Sequence, residues 1–230
     1  MKYFCKPFIC GVSPIYILLF CITAWIFYSN PQLDTGFSAL FYSGGKFFGA
    51  DKRWGMFVYH SVHIAATAVT IFFALHLLFS FIFKKFRFMG ISRKTVIYLA
   101  MVLILGPGIL INSVLKEHIG RARPAETQCF GGELRFTPAF AKTNECDSNC
   151  SFVSGHAAFG FYWLTLGFIG GTVFLKRAGY AFGISMGFGV GMVRIMQGRH
   201  FLSDIVFAGF FVWLIAAVTY WLFYIKLVKN

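Results

Sequence analysis

Six apolar runs, most of them near 20 residues long, recur along this chain, and that repetition leaves few folds open. They lie at residues 14–28, 56–83, 96–115, 157–175, 178–196 and 205–225. An α-helix needs about 20 apolar residues to cross ~30 Å of hydrocarbon. In lipid, each helix must also bond its own backbone groups. A soluble bundle would need a polar face on every helix, and these segments lack one. The charged fraction is 13%, against roughly 25% in soluble domains. The expected fold is therefore all-α: a polytopic membrane protein, a six-helix bundle forming a single domain over residues 1–230. No linker, repeat or low-complexity tract divides it. The first run follows a short basic stretch but has no small-residue cleavage site, and Phe20 before Cys21 fits a lipoprotein signal poorly. It reads as a retained helix.

Charge gives the expected orientation. All eight acids (Asp34, Asp51, Glu117, Glu126, Glu133, Glu145, Asp147 and Asp204) fall on one side of the six-span layout. The other side carries Lys2, Lys6, Lys84, Lys85, Arg87, Arg93, Lys94, Lys176, Arg177, Lys226 and Lys229, and no acid. Lys and Arg in short loops mark the cytoplasmic face. The termini are thus expected on the cytoplasmic side, and loops 30–55, 116–156 and 197–204 on the outer side. The net charge of +13 reflects this asymmetry, not a nucleic-acid partner.

Other features have simpler readings. Residues 30–55 form either an amphipathic piece on the interface or a plain loop. Gly106-Pro107-Gly108 should kink the third span. Gly183, Gly187 and Gly191 permit close helix approach, within the bundle or across a dimer; the oligomeric state stays open. Cys129, Cys146 and Cys150 share the longest outer loop, where an oxidising compartment favours a disulfide. Pairing Cys129 with Cys146 or Cys150 closes the larger loop, worth about 3 kcal/mol for roughly 15–20 residues, and is the pairing expected. Cys-x3-Cys without a nearby histidine pair suits zinc poorly, so no metal and no cofactor is expected. Cys5, Cys10 and Cys21 lie toward the cytoplasmic half and should stay reduced.

Three polar clusters interrupt the apolar pattern, all at outer span ends. They are Lys116-Glu-His-Ile-Gly-Arg-Ala-Arg123-Pro124, Ser154-Gly155-His156, and Arg194-Ile-Met-Gln-Gly-Arg-His200-Phe-Leu-Ser-Asp204. Polar groups at such depth are costly and usually functional. Lys116, Arg123 and Arg194 supply three cations, and Ser154 and the Gly155 N–H add neutral donors, a set suited to phosphate. Asp204 stands four residues after His200, so it can hold one imidazole nitrogen and leave the other free. His156 can protonate a leaving group.

Together these motifs resemble the three-part signature of the type 2 phosphatidic acid phosphatases, membrane lipid phosphatases sharing a catalytic core with vanadium haloperoxidases. The match runs from the third span to the sixth. The resemblance implies a phosphohistidine on His200, orientation by Asp204, leaving-group protonation by His156, and a phosphate cradle of Lys116, Arg123, Ser154, Gly155 and Arg194. Val153 and Val193 replace a Pro and a Ser usual in the family, which bears on substrate fit. Pro31-Gln-Leu-Asp34, Gly106-Pro107-Gly108, Asn149-Cys-Ser-Phe-Val-Ser154 and Met196-Gln-Gly-x-His200-Phe-x-Ser-Asp204 look most like bacterial lipid A phosphatases of the 4′ kind. The resemblance implies a site at the periplasmic face of a bacterial inner membrane and, as partner, a membrane lipid with a phosphate headgroup: lipid A first, at its 4′ or 1 phosphate, with undecaprenyl diphosphate or phosphatidylglycerophosphate as alternatives. A lipid phosphotransferase would use the same histidine, and a lipid transporter or binding protein would hydrolyse nothing.

Overall fold

The computed structural model describes residues 10–83 and 86–226. Lys2, Cys5, Lys6, Lys84, Lys85 and Lys229 lie outside the described residues. Helix α1 (Pro14–Ser29) starts on a Ser13 cap with Pro at its first position, the place where a missing N–H costs nothing. It meets the short α2 (Gln32–Ala39) at a 74° bend. A small hairpin pairs Tyr42–Ser43 with Lys46–Phe47. The long α3 (Arg53–Ile82), α4 (Arg93–His118), α7 (Val173–Met196) and α8 (Leu202–Lys226) are each long and apolar enough to cross a membrane, and α1 with α2 makes a bent fifth candidate. Their outward residues include Leu18, Trp25, Phe57, Ile64 and Phe174, all exposed. Such a surface suits lipid, not water.

Residues 157–175 do not form the single helix expected. They are built from α5 (Gly155–Tyr162), α6 (Thr165–Ile169) and the start of α7. The cause is close packing on the glycine face of α7. A Cβ on Gly183 would strike the Leu164 backbone where α5 and α6 separate, one on Gly187 would strike Phe161, and one on Gly191 would strike Ile205. This glycine row therefore serves packing inside the bundle. Lys176 and Arg177, expected in a loop, lie inside α7.

Proline shapes α4. Residues 104–115 are wound as a π-helix around Pro107, where the missing N–H breaks the regular ladder. Asn112 Nδ2 donates to the Pro107 carbonyl at 2.7 Å. The disulfide also departs from expectation. Cys146 pairs with Cys150, with Cα atoms 5.7 Å apart. Cys129 is free and exposed, because the adjacent Phe130 is anchored in a separate aromatic cluster with Phe47 and Phe201.

Candidate active site

The three polar clusters converge at one end of the bundle. Lys116 sits near the end of α4, Arg123 in the segment after it, Gly155 and His156 in the first turn of α5, Arg194 in the last turn of α7, and His200 just before α8. All six line one cavity of about 880 Å³. Ser154 and Asp204 are buried behind its wall. Ser154 caps α5, its Oγ accepting from Ala157 N at 3.3 Å. Gly155 packs closely under Asn112, and a Cβ there would displace the Asn112 side chain that is bonded to the Pro107 carbonyl. The N-terminus of α5 thereby opens on the cavity with its partial positive charge.

The cradle cations are held by neutral acceptors. Lys116 Nζ donates to Asn149 Oδ1, Arg123 Nη2 to the Asn149 carbonyl, and Arg194 Nη1 to Gln197 Oε1, each at 2.5 Å. Among the described residues none of the three forms an ion pair with a carboxylate. Their positions are fixed while their charge is left for an anion. Asn149 is set in a positive-φ conformation, which Asn tolerates better than most residues.

His200 is buried, and its Nδ1 lies 2.8 Å from the Ser151 carbonyl. A carbonyl only accepts, so Nδ1 carries the hydrogen and Nε2 keeps its lone pair. Asp204 Oδ2 stands farther off, 3.5 Å from Nδ1, so direct orientation by Asp204, as read from the i, i+4 spacing, is the weaker contact. Ser151 joins the two: its carbonyl takes the His200 N–H, and its Oγ donates to Asp204 Oδ2 at 2.5 Å. Burial holds His200 down at about 4, against the pull of the Asp204 hydrogen bond and charge.

His156 stacks on Tyr59, ring centroids 4.8 Å apart, and meets His63 edge-on at 4.9 Å. Its Nε2 and the Nε of Arg194 are buried without a partner among the described residues. Two orphaned polar atoms at one cavity call for a ligand, since buried polar groups are otherwise bonded. Burial, then the charges of Arg194 and its neighbours, push His156 down to about 2. Away from this polar end the cavity continues between α3 and α4 along Val62, Ala66, Phe73, Leu77, Ala100 and Leu103, an apolar groove of the kind that holds hydrocarbon.

Several site residues escaped the sequence reading. Arg121 lies within the first cluster, yet it faces away from the cavity and binds Asp34 and Asp204. Asn149, Ser151, Tyr59 and His63 belong to segments whose approach only the fold reveals. The Asn149–Ser154 stretch was the available signal for two of them.

Residues 94–227 match the model of the PAP2 superfamily. A lipid A 4′-phosphatase of Francisella tularensis subsp. novicida (strain U112) is 36% identical over 91% of this chain and 95% of its own length. One from Rhizobium leguminosarum is 33% identical over 79% of this chain and 83% of its own. A third, from Rhizobium etli, is 40% identical over half of this chain and 44% of its own. No solved structure matches the chain.

Proposed function

The chain belongs to the PAP2 superfamily, and on that premise we propose that it is a lipid A 4′-phosphatase, a phosphoric monoester hydrolase working through a phosphohistidine at the periplasmic face of a bacterial inner membrane. The observation that carries this reading is the single cavity with two ends. At one end three carboxylate-free cations surround His200 and His156; the other is an apolar groove between α3 and α4. A phosphate joined to hydrocarbon matches both ends.

Lys116, Arg123 and Arg194, with the amides at the start of α5, hold the phosphate and stabilise the charge on its equatorial oxygens. His200 Nε2 attacks phosphorus, the P–O ester bond breaks, and His156 gives its proton to the departing sugar oxygen. Water then cleaves the P–N bond, with His156 as base, releasing phosphate. His156 lies in a field that favours its neutral form. A phosphate dianion beside it opposes the charges of Arg194 and Lys116 and so favours a proton on His156 when substrate is bound. The relatives named for lipid A 4′-phosphatase activity support the substrate.

The test is direct. Purified protein in detergent micelles is incubated with bisphosphorylated lipid A, and products are resolved by mass spectrometry with fragmentation. Loss of one phosphate from the 4′ position is expected. Loss from the 1 position only, or no loss with phosphatidic acid consumed instead, overturns the substrate assignment.

A further inference from the structure

A second cavity, of about 720 Å³, adjoins the first, and Tyr59, Arg123 and Arg194 wall both. Its size falls within the roughly 300–1,000 Å³ of small-molecule sites. The floor is aromatic. Phe47 and Phe130 are buried with ring centroids 5.1 Å apart, and half-buried Tyr42 lies 5.2 Å from the first and 5.3 Å from the second. The rim is charged: beyond the shared Arg123 and Arg194 it carries Lys46 and Arg199, with Asp51 and Glu126. Lys46 and Asp51 are 3.9 Å apart and largely exposed, so they neutralise each other only loosely.

These walls are tied to the catalytic corner through the backbone. Gly49 N donates to the Met196 carbonyl at 2.8 Å, and Ala125 N to the Gly198 carbonyl at 2.9 Å. Gly198 has a φ of +66°, and a side chain there would strike the Phe47 ring. The cavity is thus assembled on the same turn that presents Arg194 and His200. Bound phosphate needs only the first cavity; nothing in its recognition calls for Arg199, Lys46 or an aromatic floor.

We propose that this second cavity is a carbohydrate subsite, taking the sugar portion of the lipid headgroup beyond the scissile ester. The apolar face of a pyranose ring packs against Tyr42 over the Phe47 and Phe130 floor, and an anionic substituent farther along the headgroup meets Arg199 and Lys46. This rests on the lipid phosphatase reading above and adds how the headgroup is told from that of a simple glycerophospholipid.

The experiment measures kcat and KM for lipid A and for dioleoyl phosphatidic acid in the same mixed micelles. It compares the parent with Arg199→Gln, Lys46→Gln and the double variant, all surface changes. In the double variant kcat/KM for lipid A should fall by about tenfold or more relative to phosphatidic acid, the scale of one charge-assisted hydrogen bond. The loss should appear in KM. A parent that cleaves lipid A and leaves phosphatidic acid untouched also supports the subsite, and the fall is then read on lipid A alone. A lipid A KM within twofold of the parent's in the double variant overturns it, as does an equal fall on both lipids. A parent inert toward both lipids instead sinks the phosphatase reading on which the subsite rests.

Discussion

Arg121 donates to Asp204 at 2.6 Å, and both side chains are sealed from solvent. The same guanidinium reaches Asp34 of α2 at 2.8 Å and Ser203 Oγ at 2.8 Å. Ser203 passes the bond on, its Oγ donating to Asp34 at 2.6 Å. Arg121 lies over the rings of Phe201 and Phe136, 4.3 and 5.4 Å from their centroids. One buried cation therefore joins the bent N-terminal pair, the loop after α4 and the start of α8.

Removing that cation leaves two buried carboxylates uncompensated, which in general costs about 3–5 kcal/mol per broken pair. Arg121→Leu should lower the thermal midpoint in detergent more than Asp34→Asn, which keeps the shape and the Asp204 contact. Asp34→Asn should remain folded with reduced kcat. Equal midpoints for Arg121→Leu and the parent would show that the network carries no stability.

Asn149 orients Lys116 and Arg123 without neutralising them. Asn149→Asp preserves the shape and places a carboxylate where phosphate must compete. KM should rise and kcat/KM fall by about ten- to a hundredfold, the scale of one or two charge-assisted bonds, while the thermal midpoint holds or rises. Unaltered KM in Asn149→Asp would remove Asn149 from the cradle.

The His200 shift sets a pH expectation. Its folded pKa of about 4 lies below the usual 6.5 or so, so the ring stays neutral as pH falls from 6.5 toward 4. Activity dependent on its lone pair is present above that window and lost on passing through about 4. The ¹⁵N-histidine signals absent from His200→Gln identify the residue, and at pH 5.5 they should still report the neutral, Nδ1-protonated ring. A midpoint near 6.5 would contradict the buried, carbonyl-bonded geometry.

In the proposed mechanism the three cations supply the charge stabilisation that a two-metal site would otherwise give. Hydrolysis should survive excess EDTA, and vanadate, which adopts five-coordinate geometry, should inhibit competitively. Activity lost in chelator and restored by one divalent ion would refute this account of the chemistry.

Orientation is tested on a Cys129→Ser background. Lys142→Cys, in the long loop, should react with a membrane-impermeant maleimide in spheroplasts, and Arg87→Cys only after lysis. The reverse pattern would place the histidines on the cytoplasmic side.

How far the sequence could be read follows from the kind of signal each feature leaves. Hydropathy marks α3, α4, α7 and α8 within a few residues, because apolar length is a local property. It merges α5 and α6 with the start of α7, since the break is imposed by glycine-mediated contacts from Gly183 and Gly187, which local hydropathy does not record. Six of the residues lining the cavity stand out in the sequence because their spacing places polar chemistry at helix ends. Arg121 and Asp34 were not: their meaning lies in a pairing across 87 positions. Ser151 does not stand out because it holds His200 through its carbonyl, which every residue possesses, and its Oγ reaches Asp204 across 53 positions. The disulfide was misread because loop-length entropy ignores where Phe130 anchors its neighbour Cys129.

The mechanism is decided by which atom takes the phosphoryl group. The deciding measurement is rapid acid-free quench of the enzyme with ³²P-labelled lipid A, followed by peptide mapping under alkaline conditions, in which phosphohistidine survives. Label on the peptide carrying His200, absent in His200→Ala and accumulating in His156→Ala when the second step is slowed, is the predicted result. Label that persists in His200→Ala and disappears in His156→Ala would reverse the two histidines and contradict the mechanism.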